Sequence, residues 1–148
     1  MRISGAAMLA LCAWPLLGAT PLPQPGQVAV TITELRSDKG VVRACITAAA
    51  KIFPRCDKDP AALILSIPAG ERVELTFSGL KPGRYAVAVL HDENSNGKFD
   101  RVLGMMPKEG FGFSRDAAVK RAPPKFEAAA FDFGGSAQAL SIRMRYML

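Results

Sequence analysis

The chain has 148 residues, of which 49% are apolar, 22% charged and 7% aromatic, with a formal net charge of +6. These values fit one globular domain and exclude a disordered tail, which would carry fewer apolar residues and denser charge. With one histidine and three cysteines, a zinc cluster, an iron-sulfur centre or a histidine-dependent triad would have to be built from residues the chain mostly lacks.

In chain order, Arg2 is the sole charge before an apolar run over residues 6–17, and Gly18, Ala19 and Thr20 supply small residues ahead of Pro21. The pattern predicts an export signal over residues 1–19, a mature domain over 20–148, and a periplasmic or secreted location. A bilayer span needs about 20 apolar residues, and Pro15 and Gly18 interrupt this segment, so a permanent anchor is the weaker reading. Lipidation at Cys12 is weaker too, because Leu11 is bulky where such a signal wants Gly, Ala or Ser. The processed chain is expected to have no integral membrane span. Losing Arg2 leaves +5, spread along the chain, so no nucleic-acid partner is expected.

Cleavage leaves Cys45 and Cys56 as an even pair in an oxidising compartment, which predicts a disulfide. Their spacing is not C-x-x-C, and no His or helix start lies nearby to depress a thiol pKa, so a redox pair or a reactive thiol is disfavoured.

Short β-rich or period-two runs recur at residues 27–35, 41–47, 62–67, 72–77, 84–91, 126–133 and 139–146, with turn signals between them. They predict an all-β fold, a single antiparallel sandwich of about seven strands. Val73, Leu75 and Phe77, then Tyr85, Val87 and Val89, give one strongly apolar face. The last run alternates too, with Leu140, Ile142, Met144 and Tyr146 inward and Ser141, Arg143 and Arg145 outward. Residues 104–124 show no clear period and read as a long ordered loop, a kind of segment that is often functional.

Residues 91–100 read H-D-E-N-S-N-G-K-F-D. Oxygen side chains at Asp92, Asn94, Asn96 and Asp100, with Gly97 for the sharp turn and the Lys98 carbonyl at the seventh position, have the spacing of a calcium loop. An EF-hand would need a preceding helix and a Glu where Leu103 stands, so this is a calcium loop of the β-hairpin kind or, equally, an empty Asn-Gly turn whose side chains cap backbone amides. Glu109 would either add a further carboxylate to that loop or pair with Lys108 or Arg115.

G-L-K-P-G-R-Y-A-V-A-V at 79–89, the 91–100 motif, P-K-E-G-F-G-F-S at 107–114, Phe53-Pro54 and the alternating last strand together resemble DUF2141, a bacterial family of exported proteins. The resemblance covers nearly all of the mature chain. It implies a secreted or periplasmic β-sandwich of transthyretin-like or immunoglobulin-like type with no established activity. Two positions depart from the pattern. Met105 and Met106 lengthen the link from Gly104 to Pro107, and Arg115 follows the Ser where Asn is common.

His91 reads as a satisfied structural histidine rather than a base. Adjacent side chains on a strand point to opposite faces, so it cannot pair with Asp92 without a kink. Ser114 lacks the G-x-S-x-G elbow of a nucleophile. Phe111 and Phe113 either cap the sandwich core or form, with Ser114, a ledge for a small ligand. The expectation is an exported, non-enzymatic binding or structural module of the cell envelope with a calcium-ordered loop and an envelope protein or glycan as partner. The alternatives are a glycan, lipid or peptide binder using residues 104–114, or a hydrolase drawing its base from His91, Asp92, Asp100 or Glu109.

Overall fold

The computed structural model describes residues 22–102 and 105–148. The export signal read at residues 1–19 lies outside the described residues. The chain forms β1 (Val28–Thr33), β2 (Val41–Thr47), β3 (Leu63–Pro68), β4 (Val73–Phe77), β5 (Gly83–Asp92), β6 (Arg101–Val102), β7 (Met106–Pro107), β8 (Gly110–Phe113), a one-turn helix α1 (Phe126–Ala129), β9 (Phe131–Phe133) and β10 (Gln138–Arg143). One sheet has the order β10-β1-β4; the other runs β3-β2-β5-β8, with β9 pairing the start of β5; β6 and β7 form a separate hairpin.

The two sheets face each other across an apolar core, as the period-two runs predict. Val28, Val30, Ile32, Val73, Leu75, Phe77 and Ile142 come from the first sheet, and Val42, Ala44, Ile46, Val87, Val89 and Phe133 from the second. On β4 the intervening Glu74 and Thr76 are exposed. On β10 Ile142 is buried, and the chain beyond it continues the alternation with Met144 buried and Tyr146 packed against the core. The fold is thus an all-β, sandwich-like domain. It differs from the expected antiparallel seven-strand form in two respects: ten strands lie among the described residues, and β1 runs parallel to β10.

Of the added strands, β6 lies just before residues 104–124, the stretch expected to be a loop, and β7 and β8 lie within it. G-F-G-F is itself a period-two pattern in which the small residue takes one face. β8 pairs with β5, Phe113 opposite Ala88 and Phe111 opposite Leu90, so its phenylalanines share the outer face of β5. There Phe111 and Phe113 join Phe53, Ala86, Ala117 and Phe126 in a second apolar cluster, with Phe53 edge-on to Phe113 and to Phe126 at 5.9 Å between centroids. β5 is therefore apolar on both faces rather than one, because Ala86 and Ala88 are small enough for rings to lie over them. Residues 126–133, expected to be one strand, divide into α1 and β9. Glu127 and the alanines after it favour a helical turn over a strand, and that turn drops Phe126 into the second cluster.

Gly110 and Gly112 face the other way, toward the chain of β10 and its continuation. A Cβ on Gly112 would lie 2.7 Å from Ile142 Cγ2 and 3.0 Å from the Arg143 carbonyl oxygen, and one on Gly110 would lie 2.3 Å from the Tyr146 ring. The backbones approach closely enough for Phe111 and Arg145 to exchange hydrogen bonds of 3.0 and 2.9 Å. Arg115 has φ 59 and Asp116 φ 48, a left-handed region where Asn and Asp are the favoured residues after glycine. Arg115 donates from Nη1 to the Ala130 carbonyl at 3.3 Å.

Cys45 and Cys56 form a disulfide with α-carbons 6.2 Å apart, tying β2 to a short 3-10 turn at Cys56–Lys58. Thr47 Oγ1 donates to Asp59 close by and accepts from the Ala49 amide at 2.9 Å.

Two tests follow. Gly112→Ala is expected to cost about 1–3 kcal/mol, the usual cost of overpacking. Gly134→Ala, where an added Cβ meets nothing within 4 Å, should stay within about 0.5 kcal/mol of wild type by denaturant melting. Equal effects would show that β10 does not press on β8. For the disulfide, unreduced denatured protein should take up no alkylating reagent at Cys45 or Cys56. The Cys45→Ser, Cys56→Ser double variant should lose roughly 3 kcal/mol on the chain-entropy account of a loop this size.

Candidate functional site

The site hangs from the end of β5. The turn between β1 and β2 presses against that end: Gly40 has φ +71, and a Cβ there would lie 2.0 Å from the Asp92 carbonyl oxygen. Only glycine fits. This approach brings Arg36, Ser37 and the Lys39 carbonyl to the last residues of β5.

His91 is fully buried. Its Nε2 lies 2.8 Å from the Lys39 carbonyl oxygen and its Nδ1 lies 2.7 Å from the Tyr146 hydroxyl. A carbonyl only accepts, so Nε2 donates there, which leaves Nδ1 to accept from the Tyr146 hydroxyl. Burial pushes the Tyr146 phenol's pKa up, which keeps that donor protonated. Both ring nitrogens are thus engaged inside the fold, the geometry of a structural histidine.

Arg36 organises the surrounding surface. Its guanidinium lies 4.6 Å from the centroid of the Tyr146 ring and pairs with Glu93, Nη2 to Oε2 at 2.5 Å and Nε to Oε1 at 3.2 Å. It also donates to the Leu148 carbonyl at 2.6 Å and the Lys108 carbonyl at 3.0 Å. Ser37 Oγ adds a 2.7 Å bond to Glu93. The Arg36 hydrogen bonds, helped by Ser37 and opposed by partial burial, hold the Glu93 carboxyl down at about 2.

Beyond Glu93 the chain curls, with Ser95 at φ 56 and Gly97 at φ 73. Asp92, 1% exposed, turns its carboxylate into the curl, where it accepts the amides of Asn96 at 3.1 Å and Gly97 at 2.8 Å. Asn94 Oδ1 accepts the Asn96 amide, and Asn96 Oδ1 accepts the Lys98 amide. The Nδ2 groups of Asn94 and Asn96 both donate to Asp100 Oδ2, at 2.7 and 2.8 Å. Arg43 borders the loop, its Nη1 2.9 Å from where a Gly97 Cβ would sit.

Glu109 completes the arrangement. It is 3% exposed, and its Oε2 accepts the Asp100 amide at 3.2 Å. Oε1 is buried with no hydrogen-bond partner. Burial first, then repulsion by Asp92, Asp100 and Glu93, pushes its pKa up against the pull of the Asp100 amide. Neither expected surface pairing is formed; Glu109 instead faces the 92–100 loop. Asp92, Asn94, Asn96, Asp100 and Glu109 thus come together, with Lys98 at the loop's exposed turn. Among the described residues no three His, Cys, Asp or Glu side chains form a group arranged to hold a metal. A cation here would need the Asn oxygens and the Lys98 carbonyl beside the acids.

The remaining candidates lie elsewhere. Phe111 and Phe113 are buried in the second cluster rather than displayed as a ledge. Ser114 is fully buried; its Oγ accepts the Val87 amide at 2.9 Å and donates to the Ala129 carbonyl at 2.6 Å, pinning β5 to α1. An open depression of about 360 Å³ runs between Ala50–Pro54 and Pro123–Glu127, and none of its lining residues belongs to the 92–100 loop.

Arg36, Lys39, Gly40 and Tyr146 were not marked as site residues by the sequence. Their partners lie 52 to 112 positions away, and no local spacing encodes that. The available signal was Tyr146 alone, the inward aromatic ending the last alternating run.

Fold and site together define a sandwich-like β-domain with an Asp/Asn-rich hairpin at the end of its central strand. The chain belongs to DUF2141, a family described as an uncharacterized protein conserved in bacteria, which matches residues 30–141. No curated protein and no solved structure matches it.

The Arg36–Glu93 pair gives a pH test. Glu93's folded pKa lies below its unfolded value near 4.5, so its contribution is fully present above pH 4.5 and is lost as pH falls toward 2. In chelator, Glu93→Gln should melt below wild type at pH 6 by an amount on the order of 1 kcal/mol, given solvent screening. The gap should close between pH 4.5 and pH 2. A gap independent of pH would mean that the loss is not that of the charged pair.

Proposed function

We propose that this protein is an exported, non-enzymatic binding module of the cell envelope whose 92–100 hairpin is ordered by calcium. The observation that carries the calcium reading is Glu109 Oε1, a buried carboxylate oxygen without a partner beside the acids of that loop. Burying a charged oxygen without a partner is costly, and buried charges are otherwise paired or bound to metal. The ligands proposed are Asp92, Asn94, Asn96, the Lys98 carbonyl and Asp100, with Glu109 as an additional carboxylate. All are oxygen donors on a curled, adaptable loop, which suits calcium better than the compact octahedron magnesium demands. The two Asn amides now pointing at Asp100 would turn their oxygens to the ion, a rotation that exchanges near-isosteric atoms. With few carboxylates the affinity belongs in the weak extracellular range, about 10⁻⁴ to 10⁻³ M.

The disulfide supports an oxidising compartment, and hence export to the periplasm or medium. The engaged nitrogens of His91 support the non-enzymatic reading, since a hydrolytic base needs a free one. A ligand ledge on residues 104–114 draws no support from Phe111, Phe113 and Ser114, all interior. The partner expected is an envelope protein, glycan or surface rather than nucleic acid.

Melting in calcium and in chelator tests this. At tenfold the dissociation constant, the ion should stabilise by about 1.4 kcal/mol, seen as a higher melting temperature in 10 mM calcium than in chelator. Asp92→Ala should abolish that rise. Glu109→Gln should melt above wild type in chelator, because it removes a buried unpaired charge, and should respond less to calcium. Equal melting of wild type in both conditions would identify the loop as an empty Asn-Gly turn.

A further inference from the structure

The strands that end the two sheets are guarded, with one exception. β4 and β10 end the first sheet and carry Glu74 and Arg143, and β8, at one end of the second, is bridged through Phe111 to Arg145. β3, at the other end, reads L-I-L-S-I-P without a charge and pairs only with β2 among the described residues. Free N–H and C=O groups on such an edge template a further strand, and charge, proline or a covering segment is the usual guard against it. On β3 the only such device is Pro68, at its last position. Leu63 is 38% exposed and Ile64 47%.

The register shows which backbone groups are free. Ala69 and Gly40 continue the β2–β3 ladder, with the Ala69 amide donating to the Gly40 carbonyl at 3.1 Å. Hydrogen-bonded pairs alternate along an antiparallel ladder, so Leu63, Leu65 and Ile67 bond to β2 while Ile64, Ser66 and Pro68 turn their backbone groups outward. Proline has no N–H, and the Ala62 amide is already given to the Asp59 carbonyl at 3.1 Å. The outward donors of β3 are therefore Ile64 and Ser66.

We propose that this edge pairs antiparallel with the β3 edge of a second copy of the chain, about a two-fold axis at Leu65. Ile64 then faces Ser66 of the second copy, and each such pair exchanges two hydrogen bonds. Every outward donor on both strands is used, and the ladder stops at either side, where Pro68 and Ala62 have no donor to give. A strand of another protein could form the same bonds, but it would bring no core behind it. Leu65 and Ile67 pack against the core of the sandwich, and Leu63 shares their face by the alternation of the strand. The axis sets Leu65 against Leu65 of the second copy and Leu63 against Ile67 of the second copy, so that two cores join. With no charge on β3, two like-charged chains meet here without repulsion between the paired side chains. The contact is isologous and consumes the edge, which closes the assembly at two. A six-residue edge falls short of the roughly 1,200 Å² of a standard interface, so the dimer is a weak one.

Sedimentation equilibrium of the processed protein from about 5 to about 500 μM tests this, with amide hydrogen exchange read residue by residue. The mass should rise from monomer toward dimer and no further. The Ile64 and Ser66 amides should exchange at least about tenfold more slowly at the high concentration than at the low. Ser66→Pro removes one outward donor from each copy and spares the β2 ladder, because that amide points away from β2. It should weaken dimerisation by at least about tenfold, with a melting temperature in the dilute monomer close to that of wild type. Ile64→Lys, at an exposed position, should weaken dimerisation as well by placing like charges across the edge, and it serves as the test if Ser66→Pro does not fold. A monomer at every concentration overturns the proposal and leaves the edge to a strand of another protein. Dimerisation equal to wild type in either folded variant places the contact elsewhere and overturns it too. Growth beyond the dimer overturns the closed two-fold.

Discussion

β5 has to be hidden on both faces, and most of the molecule follows from that. Val87 and Val89 point into the space between the sheets, while Ala86 and Ala88 point out of it. An outer face of alanines offers little apolar area of its own and leaves room for rings. Phe53, Phe111, Phe113 and Phe126 fill it, contributed by three separate stretches of chain. Each ring needs its backbone delivered to the right height. The turn that bonds the Phe53 amide to the Ala49 carbonyl, the β8 strand and the single turn of α1 do so. Ser114, bonded to Val87 on one side and Ala129 on the other, fixes the lid to the strand it covers.

A strand clamped in this way makes a rigid support for whatever follows its last residue. β5 ends at Asp92, with β2 pairing it along the final residues and the Gly40 turn pressed against the Asp92 carbonyl. The hairpin beyond inherits that rigidity at its first carboxylate only. Asp92 is buried and bound to two amides, whereas Asn94, Asn96 and Lys98 are exposed and held mainly by one another. A loop anchored at one buried acid and open elsewhere can tighten around an ion without disturbing the sheet.

The parts legible in the sequence are those whose signal is local. Val73, Leu75 and Phe77 alternate with polar neighbours, so their strand and its inner face could be read directly, and the Cys45–Cys56 pairing followed from counting. The G-F-G-F segment carried the same period, but its glycines hid it: the face that contacts Ile142 and Tyr146 has no side chains to register as apolar. α1 was lost because Phe126, Phe131 and Phe133 mimic a strand when the intervening alanines are read as its small residues. Of the site, the loop residues were legible from their spacing. The Arg36 system was not, since Arg36, Glu93, Lys108 and Leu148 meet only after both sheets have formed.

That system also accounts for the position of Glu109. Arg36 is the nearby cation best placed to neutralise it, and the two are close enough for their charges to interact. Yet the Arg36 nitrogens are already committed to Glu93, Lys108 and Leu148. A guanidinium with its donors spent elsewhere cannot turn toward a second carboxylate without breaking the contact that seats the C-terminus. Glu109 is therefore buried beside Asp92 and Asp100 with one oxygen left over. Among residues that could have occupied this position, Gln would match its volume and hydrogen-bond the Asp100 amide without the repulsion. What Glu supplies and Gln does not is negative charge, and that difference is what the calcium proposal rests on.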